Sequence, residues 1–107
     1  MKTLKFDSSL VSLVLSGEKT STWRLFDDKD LSVNDDLILL NKQIGEEFGK
    51  ARIIEVREKA LKGIVEADYD GHEKFESPEA MIETYKSYYG DKVTPETTVK
   101  IIKFELK

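Results

Sequence analysis

Apolar positions recur along this chain at two different spacings, and the switches between them mark out its elements. Leu10, Val11, Val14 and Leu15 fall at helical spacing, with Leu13 at the edge of their face. Asp7, Ser8 or Ser9 can cap that helix and Gly17 can end it, which predicts a helix over 8–16. Leu4 and Phe6 close a short strand before it. Residues 20–25 are β-branched and aromatic and read as a second strand. Leu37 to Leu40 is a continuous apolar run of strand length, as in a strand covered on both faces. Phe48 to Glu58 reads as a strand whose pattern slips between Ala51-Ile53 and Ile54-Val56, the signature of a bulge. Leu61, Ile64 and Val65 suggest one or two helical turns. Ser77-Pro78-Glu79-Ala80 opens a second helix with a serine cap and an early proline. Its packing face is Met81, Ile82, Tyr85, Tyr88 and Tyr89, and Gly90 stops it. Val99 to Leu106 is the last strand, with a second slip expected at Ile101-Ile102.

The order is therefore β-α-β-β-β-α-β. No long crossover separates strands two, three and four. That favours hairpins, a largely antiparallel coiled sheet and a small barrel of six or fewer strands. The fold class is α+β.

Composition narrows the function. The chain has 107 residues, enough for one domain spanning 1–107. It has no cysteine and one histidine, His72, so thiolate and multi-histidine metal sites are excluded and no metal or cofactor is expected. No apolar run approaches the roughly 20 residues of a membrane span, and the start lacks a signal-peptide pattern, so a cytoplasmic protein is expected. The net charge of -4 disfavours a grip on many phosphates, but not capture of one base. Lys50 and Arg52, with Arg57 and Lys59, form a small basic strip. Asp27-Asp28-Lys29-Asp30 reads as a solvated loop.

The segment Gly17-Glu18-Lys19-Thr20-Ser21-Thr22-Trp23-Arg24 holds the densest chemistry. Strand alternation puts Thr20, Thr22 and Arg24 on one face, and Ser21 and Trp23 on the other. Lys19 follows the helix exit, is free of that alternation, and can swing over Thr22. A lysine there can lose its proton through desolvation or the nearness of Arg24 and accept one from a hydroxyl or water. Thr22 can be the nucleophile or orient one, and Arg24 offers a donor fork. A solvated edge strand with a threonine ladder is the competing reading. Glu73, in the turn before the second helix, is the candidate carboxylate, with Asp68, Asp70 and Glu76 as competitors. His72 is a candidate base or loop-shaping residue. Trp23, Tyr69 and Phe75 can stack on a base, and Trp23 fits a core equally well.

The motif Gly17-x-Lys19-Thr20-x-Thr22-x-Arg24 resembles the signature of the ASCH family, a PUA-like class. The likeness extends over the acidic turn, the Ser77-Pro78 helix and the final strand. It implies a small PUA-like (ASCH) mixed β-barrel with two main flanking helices. Some short bacterial members of that family hydrolyse the acetyl amide of N4-acetylcytidine, and others are proposed to bind RNA. The resemblance assigns catalysis to Lys19, Thr22 and Glu73, the last by its spacing to the helix ending at Gly90. Arg24, Thr20, Trp23 and His72 become substrate-binding residues. The expected partner is a nucleoside-type small molecule, with RNA as the alternative and no membrane, and the chain is expected to be a monomer or weak dimer. Trp23 as the penultimate motif residue and the acidic 27–30 stretch, at the expected pocket rim, depart from the family pattern.

Overall fold

A computed structural model describes all residues, 1–107. It contains β1 (Lys2–Phe6), α1 (Ser8–Ser16), β2 (Ser21–Leu25), β3 (Asp36–Asn41), β4 (Glu47–Ala60), α2 (Pro78–Tyr89) and β5 (Thr98–Leu106). Two short 3-10 turns, Leu61–Gly63 and Glu66–Tyr69, follow β4 where helical turns are expected. The Asp7 carboxylate accepts from Ser9 N to cap α1, and Gly17 closes it in the left-handed region at φ 83°. Ser77 caps α2 by accepting from Ala80 N, with Pro78 in the first turn.

The five strands form one mixed sheet in the order β1-β3-β4-β5-β2. β1 runs parallel to β3, and the other pairs are antiparallel. One expectation fails here, since β2 forms no hairpin with β3. The connection after β2 instead carries the chain across to β1, and β2 pairs with β5 at the far edge. Polar pins hold that connection. Asp27 accepts from the amides of Lys29 and Leu31 and from Lys100 Nζ at 2.7 Å. Asp35 pairs with Lys2 Nζ at 2.7 Å. The Asp27 side chain is thus a buried anchor rather than part of a solvated loop, while Asp28, Lys29 and Asp30 are exposed.

Two buried clusters lie on opposite faces of the sheet. The first fills the inside of the curl with Leu4, Phe6, Leu37, Leu39, Ala51, Ile53, Ile102 and Phe104, closed by Val14 of α1 and by Leu31. The second packs Trp23, Leu25, Val99 and Ile101 against Met81 and Tyr85 of α2, with Leu61 and Val93. Each such large apolar side chain contributes about 1.5–3 kcal/mol by leaving water. The expected slip in β4 is present. Ile53 pairs with Phe104 and Glu55 with Lys103, so Ile54 is bulged out and 44 % exposed. The slip expected in β5 is absent. Its register runs unbroken through Ile101 and Ile102, which are both buried because β5 is covered on both faces.

The curl brings the two edge strands toward one another without pairing them. Arg24 of β2 spans the seam. Its guanidinium donates to Lys5 O of β1 at 2.9 Å and lies 5.4 Å from the centre of the Phe6 ring.

Candidate functional site

A cleft of about 370 Å3 opens along the free edge of β2, beside that seam. Lys19, Thr22, Trp23 and Arg24 form its floor. His72, Glu73 and Phe75 line it together with Tyr85, Tyr88 and Tyr89 of α2, and the Phe75 and Tyr85 rings meet with centres 5.7 Å apart. Lys5 and Lys42, both exposed, stand at its mouth. The residues that converge here come from five separate parts of the chain.

Lys19 is only 4 % exposed, and its Nζ donates to Glu73 Oε2 at 2.7 Å. Its main-chain N–H donates to Leu13 O, so it still belongs to the helix exit rather than to the strand. Burial pulls the Lys19 ammonium below its ordinary pKa, and Glu73 partly offsets that pull. Burial pushes the Glu73 carboxyl up, but His72 and Lys19 outweigh it, and the group is held below the ordinary carboxylate value. The Lys19 contact is the part of that balance present at neutral pH, because His72 is uncharged there. Burial and the nearby Lys19 charge press the His72 pKa down to about 4. Burial likewise lowers Arg24 and raises Tyr85.

The imidazole of His72 is fixed from two sides. It stacks on Trp23 with ring centres 4.1 Å apart and planes 15° from parallel. Its Nδ1 lies 2.7 Å from the main-chain oxygen of Glu73. A carbonyl only accepts, so Nδ1 carries the proton of the neutral ring and Nε2 is the free acceptor. Trp23 is 2 % exposed, belongs to the second cluster, and leaves its buried Nε1–H without a partner. One face of its indole is taken by His72, and Tyr69 and Phe75 approach it at ring-centre distances of 5.1 and 6.1 Å.

Among the carboxylates that compete with Glu73, Asp68 is buried away from the cleft. There it accepts from Arg57 at 2.8 Å and Lys59 at 2.7 Å. Asp70 pairs with Lys103, and Glu76 is exposed. Thr20 lies outside the cleft lining, under Gly71. The acidic stretch 27–30 contributes nothing to the lining. No group of three or more histidine, cysteine or carboxylate side chains is placed to hold a metal ion. The basic strip on β4 is largely neutralised, with Arg52 on Asp36 and both Arg57 and Lys59 on Asp68.

Lys5, Phe6 and the three tyrosines are cleft residues that the sequence did not single out. For β1 there was no signal, because the seam is made by topology. The tyrosines carried a faint one, since a packing face built of Tyr85, Tyr88 and Tyr89 offers hydroxyls that a purely apolar face would not.

No protein-family profile and no curated protein matches the sequence. Solved structures do. A protein of Enterococcus faecalis superposes with a TM-score of 0.74 at 20 % identity, covering 92 % of this chain and 69 % of its own. The ASCH domain from Lactobacillus crispatus gives 0.71 at 15 % identity, covering 92 % and 70 %. The ASCH protein of Zymomonas mobilis gives 0.68 at 10 % identity, covering 96 % and 65 %. This chain has the ASCH fold. At these identities the likeness speaks for the architecture alone.

Proposed function

We propose that the seam cleft captures a single nucleobase, presented by a short stretch of RNA or as a free nucleoside. The observation that carries this reading is the pairing, within one cavity, of aromatic walls with the Lys19–Glu73 ion pair. Aromatic rings suit the faces of a base, and fixed charges suit its polar edge. The resting pair favours recognition over turnover, because an ammonium bound to a carboxylate has no lone pair to offer. The neutralised strip on β4 argues against an extended phosphate track. Only Lys5 and Lys42 stand where phosphates flanking a bound base would lie. Two such contacts on a single strand correspond to a salt slope of about -1.4 in log affinity against log salt. Titration of a short oligoribonucleotide at several salt concentrations tests this. A slope near that value supports the reading, and a steep slope indicates an extended electrostatic surface.

A second reading is favoured by the burial of Lys19, which lowers its pKa beside the Thr22 hydroxyl in the cleft. A depressed lysine in a cleft is a signature of proton-transfer chemistry. Here the domain removes the acetyl group from N4-acetylcytidine. The Lys19 proton passes to Glu73, leaving an amine and a carboxylic acid. The amine takes a proton from the Thr22 hydroxyl, or from a water that Thr22 orients, as that oxygen attacks the acetyl carbon. The oxyanion forms in the field of the Lys19 and Arg24 cations. It collapses as the carbon–nitrogen bond breaks and Glu73 returns its proton to the leaving amine. The products are cytidine and acetate, after hydrolysis of an acetyl-threonine if Thr22 was the attacking group. Incubation with N4-acetylcytidine and chromatography for cytidine tests it. Product that disappears in Thr22→Ala and Glu73→Ala supports hydrolysis, and no product at high protein concentration leaves recognition alone.

A further inference from the structure

We propose that Gly71 is the positioning residue of this cleft. It is a clamp that only glycine can form, holding the turn that follows it against the start of β2 and so bringing Glu73 to Lys19 and His72 to Trp23. The inference rests on the reading of the cleft as a binding site and concerns how that site is assembled.

The main-chain oxygen of Gly71 accepts from both Thr20 N at 2.9 Å and Ser21 N at 3.1 Å. Beside it the Ser21 hydroxyl donates to Asp70 O at 3.1 Å. These bonds tie a turn to a strand about fifty positions earlier in the chain. Gly71 lies at φ +72°, where side chains are disfavoured. A Cβ there would also stand 2.0 Å from Thr20 Oγ1 and 3.2 Å from both Thr20 Cβ and Thr20 N. Gly17 and Gly45 share the positive φ but have nothing within 4 Å. Those two are glycine for backbone conformation alone, whereas Gly71 is glycine for conformation and for contact.

The next two residues are His72 and Glu73, so a side chain at 71 that lifts the turn off β2 moves both functional groups at once. Tyr69 and Phe75, on either side of this turn, pack against the second cluster, so the lift moves the residues between them and uncovers the face of Trp23 on which His72 stacks. Thr20, expected to touch substrate, is on this account the floor of the clamp.

The test compares Gly71→Ala with Gly45→Ala, which carries the same φ strain in open space. His72 is followed by NMR titration and the cleft by N4-acetylcytidine binding. In Gly71→Ala the His72 pKa is expected to rise from about 4 toward 6.5, as the ring leaves its buried place beside Lys19. Binding is expected to weaken by about tenfold or more, as charged contacts lose their geometry. Gly45→Ala is expected to change neither. Adding Thr20→Ala to Gly71→Ala removes the nearest contact and is expected to restore part of the His72 shift. A Gly71→Ala protein with His72 still titrating near 4 and wild-type affinity overturns the clamp, as do equal effects in the two alanine variants. Loss of the whole fold in Gly71→Ala, with Gly45→Ala intact by circular dichroism, overturns it as a local device. If the wild-type protein binds no nucleoside, the base-capture reading fails alone, and the His72 titration still decides the clamp.

Discussion

Lys19 Nζ and Glu73 Oε2 are 2.7 Å apart although 54 positions separate them in the chain. The lysine is almost wholly buried and the glutamate is 45 % exposed, so the pair looks outward from the core into the cleft. Desolvating an ammonium costs free energy that one half-exposed carboxylate does not fully offset, and an apolar side chain of similar length would fit the same place without that cost. On the proposed reading, the cleft rather than the stability of the fold calls for a lysine there.

Two substitutions at this pair should differ in their effect on stability. Lys19→Met is expected to hold or raise the melting temperature while weakening nucleoside binding in the cleft. Glu73→Ala is expected to lower it, because it leaves the Lys19 charge buried and alone. Thermal unfolding of the two variants beside the wild type checks the contrast. A Lys19→Met protein that unfolds far more readily than Glu73→Ala would contradict it.

His72 makes the protein lose stability in mild acid. Its folded pKa, about 4, is below the ordinary 6.5, so the unfolded chain binds more protons between those values. Stability from this group is complete above pH 6.5 and declines as pH falls toward 4. Denaturant titrations across that window should show the decline in the wild type, and His72→Phe, which keeps an aromatic ring against Trp23, should flatten it.

Asp68 acts at lower pH. Its carboxyl is held at about 2, against 3.8, and the contacts that outweigh the cost of burial come from Lys59, Val65 N and Arg57. The folded pKa is the lower one, so this stability is present above pH 3.8 and is lost as pH falls toward 2. The shift corresponds to about 2 kcal/mol. Asp68→Asn is expected to lose about that much at neutral pH in urea unfolding, with the cleft unaffected.

Arg24 ties the open edge of the sheet. Arg24→Met removes a charged hydrogen bond to Lys5 O and is expected to cost about 1.5–3 kcal/mol. Amide exchange should quicken in β1 and β2 and stay slow in β4 and β5. Uniform loss of protection across the sheet would show that the seam contact is not local.

Much of this molecule was legible in its residues, for identifiable reasons. Both helices announce themselves through local chemistry: Asp7 and Gly17 bound one, Ser77-Pro78 and Gly90 the other, and the structure has the same limits. The β4 bulge was readable because one extra residue shifts every later side chain to the other face. The pairing of β2 with β5 was not readable, because it depends on where Asp27, Lys100 and the Lys2–Asp35 pair pin a long connection. The double isoleucine misled for a related reason, since two adjacent buried residues suit a strand covered on both faces as well as a slipped one. At the site, Lys19, Thr22 and Arg24 could be singled out because they are close in sequence. Tyr85, Tyr88 and Lys5 join them only through the curl of the sheet.

Capture of a single base by the seam cleft is tested by following the amide spectrum of 15N-labelled protein as N4-acetylcytidine is added. Shifts are expected to be confined to Thr22, Arg24, His72, Glu73 and the Tyr85–Tyr89 turn of α2. Free acetate should appear in the same tube if the Lys19–Glu73 pair also hydrolyses the amide. No shifts at high ligand concentration, or shifts centred on Arg52, Arg57 and Lys59 of β4 instead, would contradict it.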